Sequence, residues 1–266
     1  MPELPEVEIA RLGLASCVTD REIESVLVHR RQSIRTPRED SESFALMLRG
    51  HRVLRLQRQG KALLFSCSRG LVMVFHFKLG AFVRCHDYAL AETNGVCMNF
   101  AGNGSLEFSD MGLSEFHLVP VDELSSVQVI KPGLDPLSRA LSPQRLARVL
   151  PANRQLKAAM TDQDILAGIG NTYSDEICWR ARMMPTRKVS SLSNQDFAVL
   201  THEIKATLRE AIRKGGERGF RGPDGREGRY EPAVHGKDGR PCPRDGALIT
   251  AISAGRKTYY CPACQE

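Results

Sequence analysis

The order of apolar and polar positions changes along the chain and predicts its main elements. Near the N-terminus the apolar positions recur at helical spacing, at Val7, Ile9, Leu12 and Leu14. The pattern stops near Val18, which predicts a short helix. The N-terminus of the chain is therefore expected at a helix entrance.

Between Glu22 and about Pro120 the pattern changes to short runs rich in valine, leucine and phenylalanine. Turn signals such as Arg69 with Gly70 and Asn103 with Gly104 separate these runs. Many short strands joined by tight turns predict an antiparallel β-sandwich or barrel.

Proline and glycine are concentrated from Lys131 to Pro143, where the strand pattern gives way to a helical one. Such a segment is typical of an interdomain linker, and 266 residues suffice for two cores. We therefore predict an α+β protein with a β-sandwich domain at 1–130, a helical domain at 131–236 and a C-terminal hairpin at 237–266.

The helical region contains one clear long helix. Ser193 and Asp196 form a capping-box pattern at its start, and Gly215 with Gly216 is expected to end it. From Gly215 to Pro241 the chain is rich in glycine and arginine and lacks periodicity, which predicts a mobile loop.

Basic residues outnumber acidic ones, since 37 Lys and Arg face 31 Asp and Glu, which gives a net charge of +6. This balance favours a polyanionic partner but also suits an ordinary basic protein. The start, MPELPEVEIA, carries carboxylates where a secretory signal needs positive charge, and no stretch approaches the roughly 20 apolar residues of a membrane span. We therefore expect a cytoplasmic protein without a membrane partner.

Most of the eight cysteines are scattered singly through apolar segments, as reduced buried thiols usually are in cytosolic chains. The scattered ones are Cys17, Cys67, Cys85, Cys97 and Cys178. The other three lie close together near the C-terminus and invite a different interpretation.

Cys261 and Cys264 form a C-x-x-C pair whose thiolates can both reach one tetrahedral zinc, and Cys242 is a third soft ligand upstream. Asp245 stands where a second upstream cysteine would complete the set, and a carboxylate binds zinc more weakly. The pattern predicts one structural zinc ion. The alternative is a hairpin that keeps its shape without metal.

Two further features suggest contact with phosphates. The run LAGIGNTYSDEI has a Gly-x-Gly turn that opens a helix at Asn171, and a helix N-terminus attracts anions. Arg256 lies at the turn between the two tail strands. The alternatives are that the Gly-x-Gly turn is only a tight connection and that Arg256 is only a solvated hairpin residue.

Pro2 becomes a secondary amine once Met1 is removed, and such an amine can attack a sugar C1′ to give an iminium. Glu3 beside it can donate or accept a proton. Taken alone, Met-Pro-Glu is also an unremarkable start of a protein.

Several segments together carry a resemblance to a known family. They are PELPEVE at the start, QGKALLF at 59–65, the His76 loop, TDQDILAGIGNTYSDEI, and GRKTYYCPACQ at the end. Over essentially its whole length the chain resembles the formamidopyrimidine-DNA glycosylase and endonuclease VIII family. The resemblance implies an N-terminal β-sandwich, a helix-two-turn-helix domain that ends in a β-hairpin zinc finger, and damaged duplex DNA bound between them.

The resemblance also implies roles for individual residues. Pro2 corresponds to the Schiff-base nucleophile, Glu3 to the catalytic acid and Glu6 to a supporting carboxylate, while Lys61 contacts a phosphate beside the lesion. The implied DNA contacts are His76, Lys78, Leu79, Asn171 and Arg256.

The chain departs from the family pattern in its finger and in its loops. Besides Asp245, the finger hairpin is one residue shorter. The loop SDMGLSEF at 109–116 lacks the arginine of the formamidopyrimidine branch. The loop HFKLGAF at 76–82 carries Leu79 as an apolar wedge, as in endonuclease VIII, and Gly215 to Gly219 replaces a threonine-containing loop.

We therefore expect a monomeric base-excision glycosylase that removes oxidised bases from damaged double-stranded DNA and cleaves the abasic strand through Pro2. One alternative is a catalytically weak family member that binds branched or damaged DNA structurally. The other is a zinc-finger nucleic-acid binder outside this family.

Overall fold

The structure, a computed structural model, describes residues 1–254 and 256–266, apart from the side chains of residues 254 and 256. The chain divides into two compact units. The first contains Met1–Ile130 and Arg218–Gly228, and the second contains Lys131–Glu217 and Arg229–Glu266. No helix among the described residues is long and apolar enough to cross a membrane.

The first unit is built mainly from strands. Its helices are α1 (Leu4–Val18) and α2 (Ser41–Leu48). Its strands are β1 (Ile23–Val28), β2 (Ile34–Thr36), β3 (Val53–Gln59), β4 (Ala62–Cys67), β5 (Leu71–His76), β6 (Phe82–His86), β7 (Val96–Phe100), β8 (Ser105–Ser109) and β9 (Glu115–Pro120).

These strands form two sheets that pack face to face. One sheet has the order β1-β7-β8-β6 and the other β2-β9-β5-β4-β3, and the pairings are antiparallel except for that of β2 with β9. Phe75 of one sheet lies 4.6 Å from Phe108 of the other, between ring centroids. The predicted sandwich is confirmed, because apolar side chains of both sheets share one core.

Helix α1 ends at Val18 as predicted, but its buried face differs from the predicted one. Val7 and Leu14 are buried, whereas Leu12 is 53% exposed. The buried aliphatic positions follow one another at spacings of three or four residues, at Leu4, Val7, Ala10, Leu14 and Val18. Leu12 falls off that line and faces away from the core.

The prediction of five reduced, separate thiols is wrong for two of them. Cys17 near the end of α1 and Cys85 in β6 form a disulfide, with Cα atoms 6.5 Å apart. Packing of α1 against the sheet brings together residues that are 68 positions apart in the sequence. Cys67, Cys97 and Cys178 are free and buried.

The second unit is helical and ends in a hairpin. Its elements are α3 (Pro143–Val149), α4 (Leu156–Met160), α5 (Asn171–Arg180), α6 (Asn194–Arg213), β10 (Thr250–Ala254) and β11 (Arg256–Tyr260). The predicted capping box of Ser193 and Asp196 opens α6, and the helix ends before Gly215 and Gly216, which both have positive φ. Beyond them, an isolated bridge between Arg221 and Glu227 gives the glycine-rich segment some order.

Candidate active site and metal centre

The entrance of α1 holds two carboxylates in a fixed arrangement. Glu3 is the N-cap residue, and its backbone N–H donates to Glu6 Oε2 at 3.0 Å. In return, the Glu3 carboxylate accepts from the backbone N–H of Glu6. Both residues are only 3% exposed. The capping box therefore holds Glu3 at the positive end of the helix, directly beside Pro2.

Lys61 reaches its position through a tight hairpin between β3 and β4. Gly60 and Lys61 are the two loop residues, since Gln59 pairs with Ala62. Gly60 has a φ of +56°, which glycine adopts without strain and a two-residue hairpin needs. Lys61 itself is 8% exposed, so most of its side chain lies against the protein.

An ion pair that the sequence did not reveal connects this hairpin strand to α1. Arg58 Nε of β3 lies 2.9 Å from Glu8 Oε2, and Arg11 also binds Glu8. Burial acts to raise the pKa of Glu8, but the hydrogen bonds from Arg11 and Arg58 outweigh it and lower the pKa. Glu8 therefore stays charged and ties the helix that carries Glu3 to the strand that leads into Lys61.

His76 is held as a neutral imidazole at the end of β5. Burial, followed by repulsion from Lys78, lowers its pKa to about 4. Its Nδ1 accepts a hydrogen bond from the Lys78 backbone N–H at 3.1 Å. With Nδ1 as the acceptor, the neutral ring carries its proton on Nε2. His76 can thus donate to an anion without bearing a charge.

Lys78 lies in an ion-pair network around Glu115. Lys78 Nζ is 3.2 Å from Glu115 Oε1, and Arg35 is 3.5 Å from the other carboxylate oxygen. Burial acts to raise the pKa of Glu115, but His117 and Lys78 outweigh it and lower the pKa to about 2. Glu115 thereby fixes the base of the loop that carries Leu79.

Leu79 and Leu113 are exposed apolar residues on two loops that touch. Their exposed fractions are 62% and 61%. Gly112 has a φ of +47°, and a Cβ there would meet the Leu79 carbonyl oxygen at 2.6 Å, so only glycine allows this approach. Arg30 Nη2 donates to the Gly112 carbonyl oxygen at 2.9 Å. Sequence reasoning identified Leu79 but missed Leu113 and Arg30. The position of Leu113 within a polar turn could have indicated an exposed apolar residue.

In the second unit, the Gly-x-Gly turn before α5 is shaped by Gln163. Its amide Nε2 donates to the Ile169 carbonyl oxygen at 2.7 Å, and its Oε1 accepts from the Gly168 N–H at 2.9 Å. Asn171 is the first residue of α5, and its Oδ1 is buried without a hydrogen-bond partner among the described residues. The side chain of Arg256 lies outside the part of the protein that the structure describes.

A buried network joins the helices of this unit to the hairpin. Lys157 Nζ donates to Asp175 Oδ1 at 2.7 Å and to the Lys257 carbonyl oxygen at 3.1 Å. The other oxygen of Asp175 lies 2.8 Å from His235 Nδ1. The backbone next to Arg256 is therefore fixed to the helix that begins at Asn171.

The four predicted metal ligands come together in the finger. The candidate donor atoms of Cys242, Asp245, Cys261 and Cys264 all lie within 4.8 Å of one another. The sulfur of Cys261 lies 3.4 Å from Asp245 Oδ2. Tetrahedral zinc ligands at about 2.0–2.3 Å from the ion lie roughly 3.3–3.8 Å apart. The Cys261–Asp245 distance falls in this range and the whole set lies within 4.8 Å, so the three sulfurs and the carboxylate can converge on one such ion.

Comparisons with known proteins show which family the chain resembles. The formamidopyrimidine-DNA glycosylase N-terminal domain matches residues 1–112, and the H2TH domain of the same enzyme matches residues 133–220. The chain is 35% identical to the formamidopyrimidine-DNA glycosylase of Geobacillus kaustophilus and 34% identical to that of Pelotomaculum thermopropionicum, over 100% of this chain and 100% and 99% of those proteins.

Solved structures of the same family have a similar fold. The MutM (Fpg) protein of Thermus thermophilus superposes with a TM-score of 0.84 at 31% identity, over 99% of this chain and 98% of that one. Lactococcus lactis Fpg in complex with DNA containing an abasic site gives a TM-score of 0.87 at 27% identity, over 99% of each chain. The resemblance seen in the sequence and the predicted α+β fold are both confirmed. The chain therefore belongs to the formamidopyrimidine-DNA glycosylase family and is a DNA glycosylase of base-excision repair.

Proposed function

We propose that this glycosylase couples removal of oxidised bases to cleavage of the abasic strand, with the Pro2 amine as its nucleophile. The observation that carries the proposal is the capping box at the entrance of α1, which holds the Glu3 carboxylate beside Pro2 in a buried position. Met1 is 58% exposed and thus open to the removal that frees the amine.

The chemistry follows from a secondary amine and a neighbouring acid. The Pro2 nitrogen loses its proton and bonds to C1′ of the damaged nucleotide, while the glycosidic bond breaks and the base leaves with that electron pair. Glu3 is placed to protonate the leaving base, to take up the proton that the Pro2 nitrogen loses, and to pass that proton to the ring oxygen O4′ as the sugar ring opens. The product is an iminium between Pro2 and C1′.

The iminium then drives strand cleavage. Because it withdraws electrons, the sugar loses a C2′ proton and the 3′-phosphate leaves. A second elimination expels the 5′-phosphate, and water hydrolyses the iminium to restore Pro2. Glu6 acts only through Glu3, by holding the backbone N–H of that residue.

The proposed DNA contacts lie in both units. Lys61, His76 and Lys78 in the first unit, and Asn171 and Arg256 in the second, bind phosphates, which position a duplex without reading its sequence. The neutral His76 contributes Nε2–H to this grip. We propose that Leu79 and Leu113 enter the base stack together as an apolar wedge, with Arg30 beside them.

Cys242, Asp245, Cys261 and Cys264 would hold one structural zinc ion. Bound there, the ion stabilises the finger and takes no part in the reaction. We also propose that the enzyme works as a cytoplasmic monomer, which size-exclusion chromatography with light scattering would check.

Borohydride trapping tests the proposed nucleophile. Protein shown by mass spectrometry to lack Met1 is incubated with duplex DNA that contains one abasic site, and borohydride should yield a covalent adduct. Pro2→Gly should weaken trapping, and protein that retains Met1 should give none. Glu3→Gln should slow base release far more than it weakens DNA binding.

The outcome separates the two activities. Absence of an adduct from processed wild-type protein, with release of the oxidised base intact, would reject the lyase step and leave a monofunctional glycosylase. Absence of both activities, with tight binding to the same duplex, would favour a purely structural DNA-binding role.

A further inference from the structure

The metal centre has two neighbours that donate hydrogen bonds to its sulfurs. Trp179 Nε1 at the end of α5 lies 3.4 Å from Cys242 Sγ. Arg244 Nη1 lies 3.3 Å from Cys264 Sγ. Each contact places an N–H donor on a different candidate ligand, which is how surrounding groups orient the ligands of a metal.

Arg244 is itself held by Trp179. Its guanidinium carbon lies 4.2 Å from the centroid of a Trp179 ring, and Nη1 donates to the Trp179 carbonyl oxygen at 2.9 Å. A planar guanidinium stacked on an aromatic face is well suited to such a fixed position. The two residues therefore form one rigid group, which we call the Trp179–Arg244 clamp.

The negative charge of the four ligands gives the Trp179–Arg244 clamp a role at the site. Three thiolates and one carboxylate carry four negative charges, so a bound divalent ion leaves a net charge of about −2. The guanidinium of Arg244 offsets part of that charge, and the indole N–H stabilises the thiolate of Cys242. Asp245 is exposed and is oriented by its own hydrogen bond from the Ala247 N–H at 3.0 Å.

We propose that the Trp179–Arg244 clamp orients Cys242 and Cys264 for the metal and thereby compensates for the weaker carboxylate ligand. The clamp also joins the metal centre to α5, the helix that begins at Asn171. This inference rests on the proposed zinc site, and it assigns Trp179 and Arg244 as positioning residues that do not themselves bind the ion.

Trp179 makes the proposal measurable, because it is the only tryptophan in the chain. Full-length protein is freed of metal with a chelator and titrated with Co²⁺, which absorbs light when thiolates bind it. The tryptophan emission should fall in step with the thiolate–cobalt absorbance and level off at one ion per chain. Emission that stays constant while the absorbance grows would overturn the contact.

Variants separate orientation from mere proximity. Trp179→Phe removes the N–H but keeps an aromatic face for Arg244, and Arg244→Gln removes the charge. Each should weaken Zn²⁺ binding about tenfold in competition with a chromogenic chelator, in line with losses of surrounding ligand partners. Arg240→Gln changes an exposed arginine of the same finger and should leave the affinity unchanged.

Melting of the metal-free proteins is the control for folding. The metal-free variants should melt at the temperature of metal-free wild type, which would show that the loss lies in metal binding and not in folding. Variants that bind Zn²⁺ as tightly as wild type would overturn the clamp alone. Wild-type protein that binds no zinc would overturn both the clamp and the zinc site.

Discussion

The sandwich and the finger hold their functional residues in different ways. The sandwich packs one side of α1 against a large apolar core in which Phe75, Phe108 and Phe116 contact one another. Among the described residues, the buried members of the finger's apolar cluster are Val234, Cys242, Ile249 and Cys261, with four partly buried residues packed against them. Two of the buried members, Cys242 and Cys261, are candidate metal ligands. The comparison shows that a large apolar core lies beneath one site, whereas the other has little apolar surface around its four candidate ligands.

This difference has a physical basis in size. A large core gains free energy from every buried side chain, at about 25 cal/mol per Å² of apolar surface. A small hairpin buries little surface to offset its loss of conformational entropy, and the zinc ion that we propose would supply the missing free energy. The carboxylates at the entrance of α1 are thus fixed before DNA arrives, while the proposed zinc ion would give the finger its order.

The largest expected effect is the loss of a phenylalanine from the sandwich core. Phe75→Ala removes a fully buried ring that contacts Phe77, Phe108 and Phe116, and should lower the free energy of unfolding by about 4 kcal/mol. Denaturant titration of the full chain measures it. Leu46→Ala, at a residue 70% exposed, should cost less than about 0.5 kcal/mol. Equal costs would contradict the core described here.

Metal removal should affect the finger and leave the sandwich unchanged. Chelation should lower DNA affinity at least about tenfold, because the hairpin that carries Arg256 loses its order, while the unfolding transition of the sandwich stays in place. Asp245→Cys should tighten zinc by replacing an oxygen with a softer sulfur. Full DNA affinity in protein shown by elemental analysis to lack zinc would mean that strand pairing holds the finger.

A smaller effect is expected at the wedge, which belongs to the sandwich. Leu79→Ala and Leu113→Ala should each slow base release from duplex DNA about tenfold, since each removes apolar surface worth roughly 1–2 kcal/mol. Leu54→Ala, at another half-exposed leucine, is the matched control. If only Leu79→Ala slows the reaction, the two loops do not act as a pair.

The smallest effect is a change in the pH dependence of stability. The pKa of Glu115 is lowered from 4.5 to about 2 in the folded chain, so its ion pairs stabilise the fold above pH 4.5. That contribution is lost as the pH falls through about 2. Glu115→Gln should therefore make stability less steep below pH 4.5, whereas Glu92→Gln, at an exposed residue, should not. Parallel curves for wild type and Glu115→Gln would contradict this assignment.

The sequence by itself determined the elements whose signals are local. The end of α1 at Val18 and the capping box at Ser193 were predicted correctly, and the residues from Cys242 to Cys264 that were expected to bind zinc do cluster. Each depends on residues that are close in the chain or on a motif with fixed spacing. Hydrogen bonds and dihedral preferences within a few residues suffice to specify such features.

Only the tertiary structure decided which distant residues meet. Cys17 pairs with Cys85 because α1 packs on the sheet, and the loop of Leu113 meets the loop of Leu79 because Gly112 lets their backbones approach. Trp179 donates to Cys242 across 63 positions of sequence. No local pattern encodes these contacts, because they arise when separate elements bury their apolar faces together, and that packing depends on the whole chain.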